Sequence, residues 1–306
     1  MLKTFLDKSK IAVSELKFKV RSAQYSGKLP SLSPDDRQIV DALDTEGVLI
    51  TSLDHLALPF TPQLLQAIDG LLPEVKSAFA ADSPGFTNAK NTYIVRASYD
   101  KIAAEYPDIF LWGLQDRLLD IAENYIGLPV AFLGVDLKKD IAYEAGRDVG
   151  SKRWHRDGED CREFKIMIYL SDVAEDTISF DYIPRYLTPS LLEIIYKSIL
   201  IFKTPYKSIY TDEQMEHFVS SSEWKSCYGP TGTVIFAGTD GIFHRGQLPK
   251  GAVKDRLALQ YTYTSRQPEN PTFCKRHFSQ KGLLILKDKL SERQKECVFW
   301  YDPTEE

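Results

Sequence analysis

Residues 153–158 read Arg153-Trp154-His155-Arg156-Asp157-Gly158. In an extended chain, residues two apart point to one face. His155 and Asp157 can therefore present an imidazole and a carboxylate to a single point. A His-x-Asp pair is common and decides little alone. Further along, residues 232–246 read Gly-Thr-Val-Ile-Phe-Ala-Gly-Thr-Asp-Gly-Ile-Phe-His-Arg-Gly. That is an apolar strand, a Gly/Asp-rich turn, and His244 at the start of the return path. Arg256 then heads the run Arg256-Leu257-Ala258-Leu259-Gln260-Tyr261. Two histidines and one carboxylate with open coordination positions form the facial triad that suits non-haem Fe(II). An arginine close behind the distal histidine suits a keto-acid co-substrate, because a guanidinium grips a remote carboxylate through two parallel hydrogen bonds.

Working outward, short β-branched and aromatic runs flank these residues at 130–137, 164–170, 178–183, 233–236 and 257–264. Gly, Pro, Asp or Ser bounds each, as in the strands of a sandwich or barrel. Helical patterns cover 2–20, 35–43, 61–75 and 108–125 before this body, and 188–200 and 212–218 inside it. Another covers 281–295 after it. Thr61-Pro62 is a helix start, with proline at the first helical position. One helix-decorated β-domain is expected: an N-terminal helical region over 1–126, a core over 127–275 and a C-terminal helical segment over 276–306.

Composition narrows the partners. The 306 residues carry a net charge of −5, with 43% hydrophobic and 26% charged residues. This is a globular balance, without the basic excess that nonspecific nucleic-acid binding needs. Charges interrupt every apolar run before the roughly 20 residues a membrane helix requires. Cys161, Cys227, Cys274 and Cys297 are widely spaced and read as reduced thiols. The N-terminal stretch carries no address, so a cytoplasmic protein is expected.

With Trp154-His155-Arg156-Asp157-Gly158, Phe164 to Val173, Phe180 to Pro184, Gly232 to Phe236, His244-Arg245-Gly246 and Arg256 in place, the chain resembles the phytanoyl-CoA dioxygenase-like family of Fe(II)/2-oxoglutarate-dependent oxygenases. The resemblance spans about residues 130–265, with a weaker echo at Glu46 to Ile50. It implies a mainly β fold with flanking helices, built on a double-stranded β-helix (jelly roll). It further implies Fe(II) held by His155, Asp157 and His244, and 2-oxoglutarate held by Arg256. The implied activity is O2-dependent oxidation, most simply hydroxylation, of a small-molecule C–H bond, with release of succinate and CO2. Halogenating relatives replace the carboxylate ligand, so Asp157 implies a hydroxylase-type enzyme.

Lys165, Lys138 and Tyr169 are further candidates for the co-substrate, since Lys165 and Tyr169 share a strand face and Lys138 lies in the preceding strand. Arg153 and Arg245 crowd the metal motif and are candidates for an anionic group on the substrate. His55, His217 and His277 lack a partner at ligand spacing and are read as non-functional. Two departures from the family stand out: Tyr182-Ile183-Pro184 runs into Arg185-Tyr186-Leu187 in place of a Gly-Ser-His turn, and a long insertion follows. Such insertions are usually lids or binding loops, so a lid is expected over 185–228. The alternatives from other classes are a non-catalytic cupin-like metal-binding protein and a metal-dependent isomerase or hydrolase.

Overall fold

A computed structural model describes residues 2–80, 94–141, 150–201, 209–247, 254–274 and 278–301. The N-terminal third is helical apart from two short strands. Helix α1 (Leu2–Tyr25) and α2 (Pro34–Thr45) lead into β1 (Val48–Ser52), then α3 (Leu53–Leu56) and α4 (Thr61–Ala80). Ser33 caps α2 by accepting the Asp36 amide, with Pro34 in the first turn. After β2 (Ile94–Arg96) come α5 (Tyr99–Glu105), α6 (Pro107–Trp112) and α7 (Asp116–Ile126). The single helix expected over 108–125 is thus broken, and the break is at Gly113. A Cβ on Gly113 would lie 2.5 Å from the Tyr261 ring, and its carbonyl accepts the Tyr263 hydroxyl at 2.7 Å. Contact with the sheet overrides the helical pattern there. Gly127, at φ +74°, closes α7 in the left-handed region.

The β-body follows: β3 (Val130–Asp140), β4 (Trp154–His155), β5 (Phe164–Tyr169) and β6 (Ser179–Tyr182). The insertion then supplies α8 (Leu191–Leu200), β7 (Ile209–Tyr210), α9 (Asp212–Glu216) and β8 (Lys225–Cys227). The last strands are β9 (Thr233–Gly238), β10 (His244–Gln247) and β11 (Arg256–Ser265), before α10 (Gln280–Leu286) and α11 (Glu292–Val298). The C-terminal helix expected over 281–295 is also two helices, because Ser291 starts a fresh capping box with Gln294.

Two antiparallel sheets result. The major sheet runs β1-β9-β5-β11-β3-β2 and the minor sheet β7-β4-β10-β6-β8. In chain order β3, β4, β5 and β6 alternate between the sheets, and β8, β9, β10 and β11 alternate back. This double winding gives the central orders β3-β11-β5-β9 and β4-β10-β6-β8, which is the jelly roll expected from the sequence. Helical residues nevertheless outnumber strand residues, because the strands form the centre and the helices cover one face of it.

The alternation of β5 shows how the layers are built. Phe164, Ile166 and Ile168 face outward into a core shared with α2, α4, α6, α7, α10 and α11. Met167 and Tyr169 face inward, toward Phe180 and Tyr182 of the minor sheet. Both faces of the major sheet are therefore buried, which explains the near-continuous apolar runs. The described part of 185–228 packs by Ile194, Tyr210, Met215 and Val219 against Trp154, Ile183 and Phe243 on the outer face of the minor sheet. The four cysteines are free thiols. Among the described residues, no helix is long and apolar enough to cross a membrane.

Candidate metal centre and its cavity

The space between the sheets contains a cavity of about 210 Å³. His155 ends β4 and His244 begins β10, and the two are register partners in the minor sheet. Asp157, two residues past His155, is tied by its backbone N–H to the Thr239 carbonyl at 3.2 Å. That bond draws the Asp157 loop against the β9–β10 turn that delivers His244. Ligand atoms of His155, Asp157 and His244 all lie within 4.8 Å of one another. The three residues that the sequence singled out as metal ligands do come together.

Their orientation suits a cation. His155 Nδ1 lies 2.8 Å from its acceptor, the Arg153 carbonyl, and His244 Nδ1 lies 3.4 Å from that of Ile242. Donation from Nδ1 puts the lone pair on Nε2. Both Nε2 atoms face Asp157, at 3.9 Å for His155 and 3.5 Å for His244. Burial pushes the His244 imidazole down to about 3, against the opposing pull of Asp157. His244 is thus neutral near pH 7, the form that binds a metal. Burial raises the Asp157 carboxyl, but Lys165, His244 and His155 outweigh it and hold the group well below the usual range. Phe180 stacks on His244, with centroids 5.4 Å apart.

Lys165, expected at the co-substrate, lines the cavity and pairs there with Asp157 and Glu163. Its ammonium lies 2.5 Å from Asp157 Oδ2 and 3.0 Å from Glu163 Oε1. Glu163 is 1% exposed. Burial pushes its carboxyl up, with Lys165 opposing that shift.

Arg256 also lines the cavity. It faces Asp140 across the β11–β3 ladder, and its Nε and Nη2 both donate to Asp140 Oδ2, at 3.1 and 2.8 Å. Lys152 Nζ lies 3.5 Å from the other oxygen, Oδ1. Arg256, Asp140 and Lys152 are all less than 5% exposed. The space between the triad and this cluster is kept open by Gly246 on β10, where a Cβ would sit 3.2 Å from Lys152 Nζ.

The other candidates divide. Lys138 lines the cavity, and its ammonium donates to Gln260 Oε1 at 2.6 Å. Tyr169 is buried beside Arg256, and its hydroxyl donates to the Cys227 carbonyl at 2.8 Å. Arg245 borders the cavity as well, but its guanidinium is engaged on the other side of its strand. Its guanidinium pairs with Asp212 and with Asp181, and it stacks over Trp154 at 4.4 Å and Trp224 at 5.3 Å. That face is the outer one, buried by the insertion, so Arg245 fastens the insertion to the minor sheet. Arg153 contributes its backbone carbonyl to His155, and its side chain does not line the cavity. None of the described residues of 185–228 lines the cavity either: where a lid is expected, the described part supplies β7 and β8 as the edge strands of the minor sheet and packs α8 and α9 against its outer face. His55 and His217 are exposed away from the site, and His277 lies outside the described residues.

Sequence reasoning missed Asp140, Lys152 and Glu163. The Asp140 signal lay in the strand itself: Asp136, Lys138 and Asp140 alternate onto one face of β3, which the register places inward beside Arg256, Ala258 and Gln260. A further polar group holds the turn before His244. The Tyr125 hydroxyl donates to Asp240 at 2.9 Å, Arg185 lies 3.5 Å from the same carboxylate, and Arg156 Nε donates to the Asp240 carbonyl.

No family model matches the chain, and no curated protein does. Among solved structures, the EctD protein from S. alaskensis with bound Fe is similar at 15% identity and a TM-score of 0.49, over 81% of this chain and 84% of that one. The epimerase SnoN in complex with Fe3+, alpha ketoglutarate and nogalamycin RO is similar at 12% identity and a TM-score of 0.48, over 76% and 84%. HygX from Streptomyces hygroscopicus with nickel and 2-oxoglutarate bound stands at 17% identity and 0.44, over 77% and 88%. These are likenesses of outline, and the jelly-roll assignment rests on the strand order.

Proposed function

We propose that the protein is an Fe(II)- and 2-oxoglutarate-dependent oxygenase that oxidises, most simply hydroxylates, a C–H bond of a small molecule, as the resemblance to the phytanoyl-CoA dioxygenase-like family implies. The observation that carries this reading is one cavity with a His155–Asp157–His244 cluster and a buried Arg256, joined across Gly246. His155 and His244 would hold the metal through Nε2, and Asp157 through its carboxylate. Three protein ligands leave positions open for reactants, whereas a structural site is normally closed by four.

When bound, iron supplies the redox chemistry that couples O2 and 2-oxoglutarate to substrate oxidation, with succinate and CO2 released. The chain's own part is positioning and exclusion. Carbonyl contacts at both Nδ1 atoms fix the imidazoles, and Lys165 orients Asp157 from the side. Arg256, with Lys138 and Lys152 nearby, provides positive potential for the distal carboxylate of the co-substrate. Met167, Phe180, Ile235 and Ala237 form an apolar wall that keeps water from the reacting groups. As a ligand, Asp157 would supply the anion that a halide would otherwise bring to the metal, which favours an oxygenated product.

Slow uncoupled turnover tests this reading without knowledge of the substrate. The Fe(II)-loaded protein should form succinate from 2-oxoglutarate only when O2 is supplied. A metal-dependent isomerase, hydrolase or binding protein would form none.

A further inference from the structure

We propose that Asp140 is an internal carboxylate that sets the affinity of the co-substrate subsite. It takes the Nε–Nη2 edge of Arg256, so that the distal carboxylate of a 2-oxo diacid docks on the Nη1 side. The inference rests on the co-substrate reading above and adds a residue to it.

Three observations carry it. The first is directional. Both hydrogen bonds from Arg256 to Asp140 use Nε and Nη2 and end on one oxygen, Oδ2. Nη1 is buried and makes no hydrogen bond of ordinary geometry, although the Tyr169 hydroxyl also neighbours the guanidinium. A buried guanidinium nitrogen left in that state is costly unless an acceptor completes it. The second is charge. Arg256, Lys152 and Lys138 all act on Asp140, and Asp136, which also acts on Lys138, has Arg96 as a partner of its own, so this buried group carries more positive than negative charge. A purely structural cluster would be matched; this one attracts a further anion. The third is access. Gly246 adjoins the cluster from the metal side, and a Cβ there would stand 3.8 Å from Arg256 Nη2. Gly246 therefore adds no side chain of its own between the triad and Arg256, and the Lys152 side chain lies against it.

Asp140 then has two opposed effects. It keeps three cations assembled in the ligand-free fold, and it repels the carboxylate that Arg256 is there to receive. Replacing it by the isosteric amide separates them. Asp140→Asn retains an acceptor for Arg256 and removes the competing negative charge.

The experiment is an anaerobic titration of the Fe(II)-loaded protein, following the visible absorption of the chelated 2-oxo acid. One ligand is 2-oxoglutarate and the other 2-oxovalerate, which lacks the distal carboxylate. D140N should bind 2-oxoglutarate at least about tenfold more tightly, while its affinity for 2-oxovalerate stays within about twofold, even though its melting temperature falls. Weaker binding of both acids, an equal shift for both, or no shift for 2-oxoglutarate would overturn the inference and leave Asp140 a structural partner. If D140N does not fold, the wild type decides. Discrimination between the two acids below about thirtyfold supports an anchor already half-occupied by Asp140, and larger discrimination overturns it. Failure of both acids to bind the Fe(II)-loaded wild type would remove the proposed function together with this inference. Binding of both without the D140N signature removes the inference alone.

Discussion

His155 and His244 are cross-strand partners: they face each other in the β4–β10 register, with ring centroids 4.3 Å apart. Each ring is turned by its own carbonyl contact so that Nε2 points at Asp157. Because His155 ends one strand and His244 begins the next, either can be cut back without opening the main core. His155→Ala and His244→Ala should each weaken Fe(II) binding by more than about a hundredfold, with circular dichroism unchanged. Anaerobic iron titration checks this, and wild-type affinity in both variants would refute the assignment.

Arg245 gives a contrasting prediction. Its guanidinium lies between two indole rings and two carboxylates, and Asp181 is only 2% exposed. Arg245→Met leaves Asp181 as an unpaired buried carboxylate and should cost about 3–5 kcal/mol. Denaturant melts measure that loss. Limited proteolysis should show new cleavage within 185–228 while the variant still binds iron.

Lys138 should trade stability for binding. Burial, with Arg256 and Arg96 adding to it and Asp140 and Asp136 opposing, pushes its ammonium down to about 8. The unfolded value is about 10.4. Below pH 8 both states are protonated and the folded state bears the full penalty of the buried charge. Between 8 and roughly 10.4 the unfolded chain holds more protons, so stability rises with pH and the penalty disappears. Lys138→Met should therefore stabilise the ligand-free fold by about 1–3 kcal/mol at pH 7, with the gain fading toward pH 10. The same variant should bind 2-oxoglutarate more weakly. Paired melts at pH 7 and 10 check the first claim; a variant less stable than wild type at pH 7 contradicts it.

Gly246 is the third test of the cavity. A branched side chain there would enter the space beside Lys152 and Arg256. Gly246→Val should lower 2-oxoglutarate affinity at least about tenfold and leave iron stoichiometry unchanged. Equal affinity would mean that the co-substrate runs elsewhere.

The jelly roll was legible because both faces of its central strands are apolar. Phe164, Ile166 and Ile168 meet the helices while Met167 and Tyr169 meet the minor sheet, so β5 stood out from any turn. Short strands carried no such signal. β4 and β7 have two residues each, and they exist because Trp154 and His155 pair with Tyr210 and Ile209. The cluster of His155, Asp157 and His244 was legible as residue types in order. Their neighbours were not, because alternation assigns a face without saying what covers it. Arg245 alternates away from His244, and only the fold reveals that the insertion buries that face. Lys165 alternates inward as expected, but Asp157 and Glu163 reach it first. Asp140 sits at the end of Leu137-Lys138-Lys139-Asp140, a run that reads as a polar strand end until the β11 register sets it against Arg256.

The most direct test of the central claim is the stoichiometry of anaerobic binding. The account predicts one Fe(II) per chain for the wild type, one 2-oxoglutarate per bound iron, and loss of both when Asp157 is replaced by Ala. Iron that binds equally well without Asp157, or that binds without admitting 2-oxoglutarate, would contradict it.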